Sequence, residues 1–334
     1  PRETQRHSRN GLGKEQTMAQ NLNPQQQAAL QYIDGPLLVL AGAGSGKTSV
    51  ITKKIAYLVE DCGIPARNIA AVTFTNKAAR EMKARVSSLL GKENGKGLTV
   101  STFHNLGLTI IRTEIKALGF RPGFSILDQE DCRKLIKELL VRHTELDEKL
   151  IDTAQNTISN WKNSLLEPGS AVSAANSTGE QGIAMLYERY QRALKAYNAV
   201  DFDDLIMTPV LLFKQQPEIL AKWQRRIRYL LVDEYQDTNL AQYELVKTLV
   251  NEKQALTVVG DDDQSIYAWR GARPENLMQL QEDFPSLNII KLEQNYRSTG
   301  RILKAANTLI DNNPHLISKA LWSELGPGDP LRFI

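Results

Sequence analysis

One lysine, two adjacent acids and three glycines define the chemistry open to this chain. In PLLVLAGAGSGKTSVITKKI, from Pro36 to Ile55, an apolar run leads into Gly42, Gly44 and Gly46, interleaved with Ala41, Ala43 and Ser45, and then into Lys47, Thr48 and Ser49. A polyphosphate needs several backbone N–H groups turned toward one point, and a Cβ obstructs that approach, so this loop suits it. Lys47 is expected to reach the β and γ phosphates and the Thr48 hydroxyl to ligate Mg²⁺, while the helix N-terminus adds positive potential. The strict pattern G-x-x-x-x-G-K-[ST] has glycine where this chain has Ala41, but Gly42 and Gly44 still carry the turn. An ordinary glycine-rich strand-to-helix turn is the bland alternative; the adjoining Gly-Lys-Thr argues against it.

The acids lie in RYLLVDEYQDTN, where the apolar run Tyr229 to Val232 delivers Asp233 and Glu234. Adjacent carboxylates after a buried strand are costly unless a cation sits beside them. Mg²⁺ held through Asp233, with Thr48 opposite, supplies it and leaves Glu234 to orient or deprotonate a water. In ALTVVGDDDQSIYAWRGARPENL, Gln264 can donate to a γ-phosphate and lose that partner after hydrolysis, which makes it a state sensor. Trp269 follows five residues later, near Tyr267 and next to Arg270; an exposed indole there is a stacking platform for a base, worth about 1–3 kcal/mol. In NIIKLEQNYRST a strand is followed by Asn295, Tyr296 and Arg297, and the arginine can reach across a cleft to transition-state charge.

These residues must be positioned by strands and helices. Apolar runs at Leu37–Leu40, up to Phe74, in LTVSTFHNL, at Tyr229–Val232, at Leu256–Val259 and in NIIKL read as buried strands. Phe74, Thr75 and Asn76 close one run, and Ser101, Thr102, Phe103 and His104 close the next. Open α/β sheets bind ligands at such strand ends, so hydroxyls, amides and aromatics there suggest a groove for a sugar-phosphate chain with stacking bases. Lys77, Arg80 and Lys83 share a helix face that is more simply read as solvated. From Leu106 to Asn198 the chain turns helical, with LDQEDCRKLIKELLVRH amphipathic and EPGSAVSAANSTGE expected to be a loop or linker. Trp161 reads as a buried helix tryptophan. Ahead of the phosphate loop, NLNPQQQAALQYI reads as a short helix whose glutamines are either solvated or able to read an adenine edge.

With 334 residues, 42% hydrophobic and 24% charged, the chain is a globular protein of two or three domains. No apolar run approaches a membrane span and no secretory leader is evident, so a cytoplasmic location without membrane partners is expected. Cys62 and Cys132 are isolated, which suggests neither disulfide nor zinc. The net charge of +3 carries no argument for nucleic acid, because residues 1–17 hold four cations and two acids and leave only +1 for the rest. That basic, aperiodic arm is expected to be disordered, whether native or an added leader.

At DEYQDT and GDDDQSIYAWRGA the chain resembles the superfamily-one DNA helicases of the UvrD/Rep type, from Asn21 to Leu331, in motif order and spacing. The resemblance implies a fold class of α/β: a RecA-like P-loop NTPase domain with a mainly parallel sheet, interrupted by a helical insertion domain. It implies a disordered arm at 1–20, a motor domain from 21–105 and 200–293, a helical insertion at 106–199, and at 294–334 the start of an incomplete second RecA-like domain. It also implies ATP and Mg²⁺ as cofactors. Gln26 would read adenine, Tyr296 would stack on it and Arg297 would be the first arginine finger. Phe74, Thr75, Asn76, Thr102, His104, Tyr267, Trp269 and Arg270 would line or support a single-strand track. The implied activity is 3′ to 5′ translocation and strand separation or protein displacement on single-stranded and forked or 3′-tailed duplex DNA, alongside replication or repair proteins. Many relatives have arginine where this chain has Ser49, so adenine stacking is expected to rely on Tyr296.

Three alternatives differ from this reading. A switch GTPase needs an asparagine-lysine-x-aspartate guanine reader, and Asn76-Lys77-Ala78-Ala79 lacks the aspartate. A helicase-nuclease subunit needs clustered nuclease carboxylates, which this stretch does not carry. A non-catalytic binder would not need Lys47, Thr48, Asp233, Glu234 and Gln264 together.

Overall fold

The computed structural model describes residues 22–141, 148–313 and 317–332; the arm expected at 1–20 lies outside them. In chain order, α1 (Pro24–Gln31) precedes β1 (Leu37–Ala41) and α2 (Lys47–Glu60), followed by β2 (Ile69–Thr73), α3 (Asn76–Asn94), β3 (Thr99–Thr102) and α4 (Phe103–Thr113). Then come β4 (Ser125–Leu127), α5 (Gln129–Val141), α6 (Glu148–Asn163), α7 (Pro168–Ala174), α8 (Thr178–Ala196) and β5 (Ala199–Asp201). The chain continues through α9 (Asp204–Gln215), α10 (Pro217–Arg226), β6 (Tyr229–Val232), α11 (Leu240–Leu249), β7 (Leu256–Gly260), α12 (Asn276–Asp283), β8 (Asn288–Leu292) and α13 (Gly300–Ile310).

Six strands form one parallel sheet in the order β3-β2-β6-β7-β1-β8. Strands β1, β2, β6 and β7 are buried at every position, as a parallel sheet covered on both faces requires, and this is why they read as unbroken apolar runs. Alternate side chains go to opposite faces. Leu38 and Leu40 join Phe103, Ile110, Ile206 and Leu245 in the core under α4, α9 and α11, whereas Leu37, Val39 and Ala41 join Val50, Ile55 and Met82 under α2 and α3. Every strand therefore delivers its next residues to the same carboxyl edge, where the candidate site lies.

Helices α5 to α8 enclose a separate core around Ile151, Ile158, Ala184, Tyr187 and Tyr190. A buried ion group ties it to the sheet domain. Lys162 of α6 meets Asp201 at 2.7 Å and Asp204 at 2.8 Å, and the Tyr190 hydroxyl donates to Asp201 at 2.9 Å. Two local features differ from the sequence reading. The stretch expected as a linker contains α7, with Pro168 in its first turn and Ala171 buried, and Ser177 caps α8. Helix α4 runs across the boundary expected at 105/106, because Leu106 and Ile110 face the sheet's own core. Its Gly107 lies so close to α9 that an added Cβ would sit 1.8 Å from the Leu205 carbonyl oxygen.

Candidate functional site

The phosphate loop joins β1 to α2, and its shape depends on two glycines with positive φ, Gly44 at 73° and Gly46 at 88°. A Cβ at Gly46 would meet the Gln26 amide nitrogen at 2.8 Å, and one at Gly44 the Asn295 amide at 2.7 Å. Ser45 is buried, and its hydroxyl donates to the Gly42 carbonyl at 2.7 Å, closing the loop. Helix α2 then opens at Lys47 with its first N–H groups toward the loop. Thr48 and Ser49 follow in its first turn; Ala41 ends β1, and Ala43 is exposed at the loop's tip.

Because β7 lies between β6 and β1, three carboxyl ends converge. Lys47 Nζ donates to Glu234 Oε2 at 3.1 Å and to Gln264 Oε1 at 3.2 Å. Asp233 is buried at the end of β6, and its carboxyl titrates at about 6, pushed up first by burial and then by the Glu234 charge, with Lys47 partly offsetting both. Glu234 takes a left-handed backbone, φ 51°, which turns its carboxylate toward Lys47. Gln236 fixes this turn, donating to Glu234 Oε2 at 3.0 Å and accepting from the Asp261 N–H at 3.0 Å.

This pocket fits a metal-bound polyphosphate. Glycines 44 and 46 leave a cradle that a Cβ would fill, and the donor set of hydroxyl and carboxylate oxygens at Thr48 and Asp233 suits Mg²⁺. Asp237 supplies an independent sign: its buried Oδ1 has no hydrogen-bond partner among the described residues, and its carboxyl is pushed up to about 6 by burial and by the Glu234 charge.

The adenine candidates are neighbours. Gln26 is buried in α1, where its amide donates to the Ser45 carbonyl at 2.9 Å and accepts the Asn23 N–H at 3.0 Å in a capping box. Asn23 Nδ2 also donates to the Tyr296 hydroxyl at 2.9 Å, so Gln26 and the half-exposed Tyr296 ring flank one corner of the loop. Arg297 is exposed beside Gly44, its N–H held by Asn295 Oδ1 at 2.8 Å.

The second group follows β2 and β3. Thr75 and Thr102 cap α3 and α4 by accepting the Ala78 and Asn105 N–H groups, and Asn105 donates to Asn76 Oδ1 at 3.2 Å. The Phe74 ring packs edge-on against Phe103 with centroids 5.2 Å apart. His104, whose pKa is lowered by burial, packs edge-on against Phe202 at 6.1 Å. Phe202 is 51% exposed and was missed in the sequence, where it is one aromatic within a run of acids; the expected strand and helix boundaries gave no sign that it returns to His104. Trp269 is 73% exposed, with its ring 6.5 Å from Tyr267. The Arg270 side chain lies outside the described part of the structure. Lys77, Arg80 and Lys83 are exposed on α3.

Residues 22–285 match the family model of the UvrD/REP helicase N-terminal domain. The chain belongs to this family. It is 58% identical over 313 residues to the ATP-dependent DNA helicase Rep of Escherichia coli K12, covering 94% of this chain and 46% of that protein. The Rep protein of Buchnera aphidicola subsp. Acyrthosiphon pisum is 50% identical over 94% of the chain, and the ATP-dependent DNA helicase PcrA of Staphylococcus epidermidis is 46% identical over 95% of it. The chain spans a little under half the length of these relatives. A UvrD/Rep-type helicase domain accounts for the α/β fold with its parallel, RecA-like sheet. Among the described residues, no helix is long and apolar enough to cross a membrane.

Proposed function

We propose that this chain carries the nucleotide-hydrolysing first motor domain of a cytoplasmic, nucleoid-associated 3′ to 5′ DNA helicase, coupling Mg-ATP hydrolysis to movement along single-stranded DNA. In this reading the sheet domain is the motor, the block around α5 to α8 an insertion, and residues from 294 the beginning of a second RecA-like domain. The observation that carries it is Lys47 shared between Glu234 and Gln264 at the edge where the aromatic rim also lies.

Lys47 and the loop N–H groups hold the phosphates, and Gln26 and Tyr296 border the adenine corner. Thr48 and Asp233 hold Mg²⁺, which when bound neutralises charge on the phosphate oxygens. Glu234, freed when Lys47 turns to phosphate, takes a proton from the attacking water. Gln264 loses Lys47 from its Oε1, donates its second Nε2 hydrogen to the γ-phosphate and so registers hydrolysis, while Arg297 reaches toward charge developing on the transferred phosphoryl group. Trp269 and Tyr267 lie on the same loop as Gln264, which couples that exchange to bases stacked along Phe74, Asn76, Thr102 and His104. Forked or 3′-tailed duplexes are the substrates this implies, with replication or repair proteins as partners.

The test is Lys47→Ala in the full-length protein. DNA-stimulated ATP hydrolysis should fall to background; an unchanged rate would remove the assignment of the phosphate loop.

A further inference from the structure

The segment after β8 is stitched to the nucleotide site in a way that the motor reading does not require. Asn295 Nδ2 donates to the Ala43 carbonyl at 2.5 Å, and the Tyr296 N–H donates to Gly44 O at 3.0 Å. The chain then passes through α13 and returns. Trp322 bridges to Gln294, and the Leu321 side chain comes within 2.2 Å of the position a Cβ on Gly42 would take. Two residues before Leu321, Lys319 enters the acidic run that follows β7.

The Lys319 side chain is 3% exposed, and its Nζ lies 2.7 Å from Asp261 Oδ1, 2.9 Å from Asp262 Oδ1 and 2.5 Å from Asp263 Oδ2. Asp261, the acid that leads to Gln264, is itself buried. One of its oxygens faces Lys319, and the other, Oδ2, accepts from Gln264 Nε2. An ammonium only donates and an ionised carboxylate only accepts, so this pairing decides the orientation of the Gln264 amide. With Nε2 committed to Asp261, Oε1 must point the other way, and it accepts from Lys47 at 3.2 Å. A continuous run of polar contacts therefore joins Lys319, Asp261, Gln264 and Lys47. An ammonium donor stands at each end, and the Asp261 carboxylate that Lys319 holds receives Gln264 Nε2.

We propose that Lys319 is a positioning residue for the nucleotide sensor: by holding Asp261 it fixes the Gln264 amide and ties the segment after β8 to the γ-phosphate end of the site. The inference rests on the nucleotide-site reading above. It deepens that reading by giving Gln264 a second input, from the chain segment leading away from the first motor domain. Asp262 and Asp263 seat the ammonium from its other sides, which makes the acidic triplet a socket for this lysine rather than for a metal ion.

The experiment compares binding of a fluorescent non-hydrolysable ATP analogue and fluorescent ADP to the full-length protein, both with Mg²⁺. Lys319→Met keeps the bulk of the side chain and removes its charge. The preference for the ATP analogue should fall about tenfold while ADP affinity stays within about twofold, and Lys319→Arg should recover most of the preference. Gln264→Ala should lose the same preference, and the double variant should lose no more than either alone, because both act through one contact. Asp261→Asn supplies a second variant, with the same expected loss, should Lys319→Met not fold. An intact preference in Lys319→Met or Asp261→Asn overturns the proposal. So does equal weakening of both nucleotides without rescue by arginine, or additive losses in the double variant. A wild-type protein that binds neither nucleotide overturns the nucleotide-site reading itself, and this inference with it; Lys47→Ala, expected to abolish binding of both, separates the two cases.

Discussion

Lys47 Nζ donates to Glu234 Oε2 at 3.1 Å, so the cation of the phosphate loop and the acid placed as general base occupy each other across the site. A nucleotide that draws Lys47 onto its phosphates uncovers the base at the same moment. Glu234→Gln keeps the shape and an acceptor for Lys47 but removes the basic oxygen. Nucleotide affinity should be retained, while single-turnover hydrolysis should slow by about 10²- to 10⁴-fold, the usual range for a positioned general base. A loss under tenfold would assign the base elsewhere.

Trp269 stands 73% exposed beside Tyr267, on the loop that also carries Gln264. Trp269→Ala should weaken single-strand DNA binding by about 1–3 kcal/mol, roughly 5- to 150-fold, by removing one stacking platform. Titration with a fluorescent oligonucleotide checks this. ADP affinity measured on the same variant should not change, and an unaltered DNA affinity would remove the stacking role.

Strands β1, β2, β6 and β7 were legible because burial on both faces writes an apolar run that ends in the candidate site residues. For the same reason Lys47, Asp233, Glu234 and Gln264 could be named before their convergence was seen. What the sequence hid depends on contacts between distant segments. Nothing in the residues around Gly107 marks its contact with α9, and Phe202 gave no periodic signal because it precedes a helix rather than belonging to one. Lys319 lies 56 to 58 residues from the acids that enclose it, and no local pattern marks a salt bridge of that span. The stretch from Leu166 to Glu180 was misread for the opposite reason: glycine, serine and proline suggested a loop, whereas Pro168 and Ser177 sit where they start helices.

The junction between helices α5 to α8 and the sheet should carry a pH signature. Asp203 accepts from Asn163 Nδ2 at 3.0 Å, and burial, reinforced by the Asp201 charge, pushes its carboxyl up to about 6. A folded-state pKa above the unfolded one means that the folded chain binds the proton more tightly. This contribution to stability is therefore complete below about pH 4 and lost as pH rises through about 6. Asp203→Asn should raise the melting temperature by a few degrees at pH 7.5 and flatten its dependence between pH 4 and 6. A melting temperature lowered at pH 7.5 would show that the ionised carboxylate stabilises the junction instead.

Gly107 is where α4 and α9 touch backbone to backbone, and the Leu205 carbonyl cannot rotate aside as a side chain would. Gly107→Ala must push the two helices apart, at a cost of about 1–3 kcal/mol for an overpacked site. It acts against the roughly 1 kcal/mol that alanine gains over glycine in a helix interior, so a net loss would report the clash directly. Helix α4 begins just before His104, and α9 begins just after Phe202, the two rings that meet at 6.1 Å. Separating the helices should open that pair, so the variant should unfold at lower denaturant and bind single-stranded DNA more weakly, with ADP affinity preserved because α2 packs on the other face of the sheet. Urea unfolding and oligonucleotide titration on one preparation decide it: stability equal to or above wild type would mean that the helices can move apart without cost, and the close approach would then have no bearing on the DNA rim.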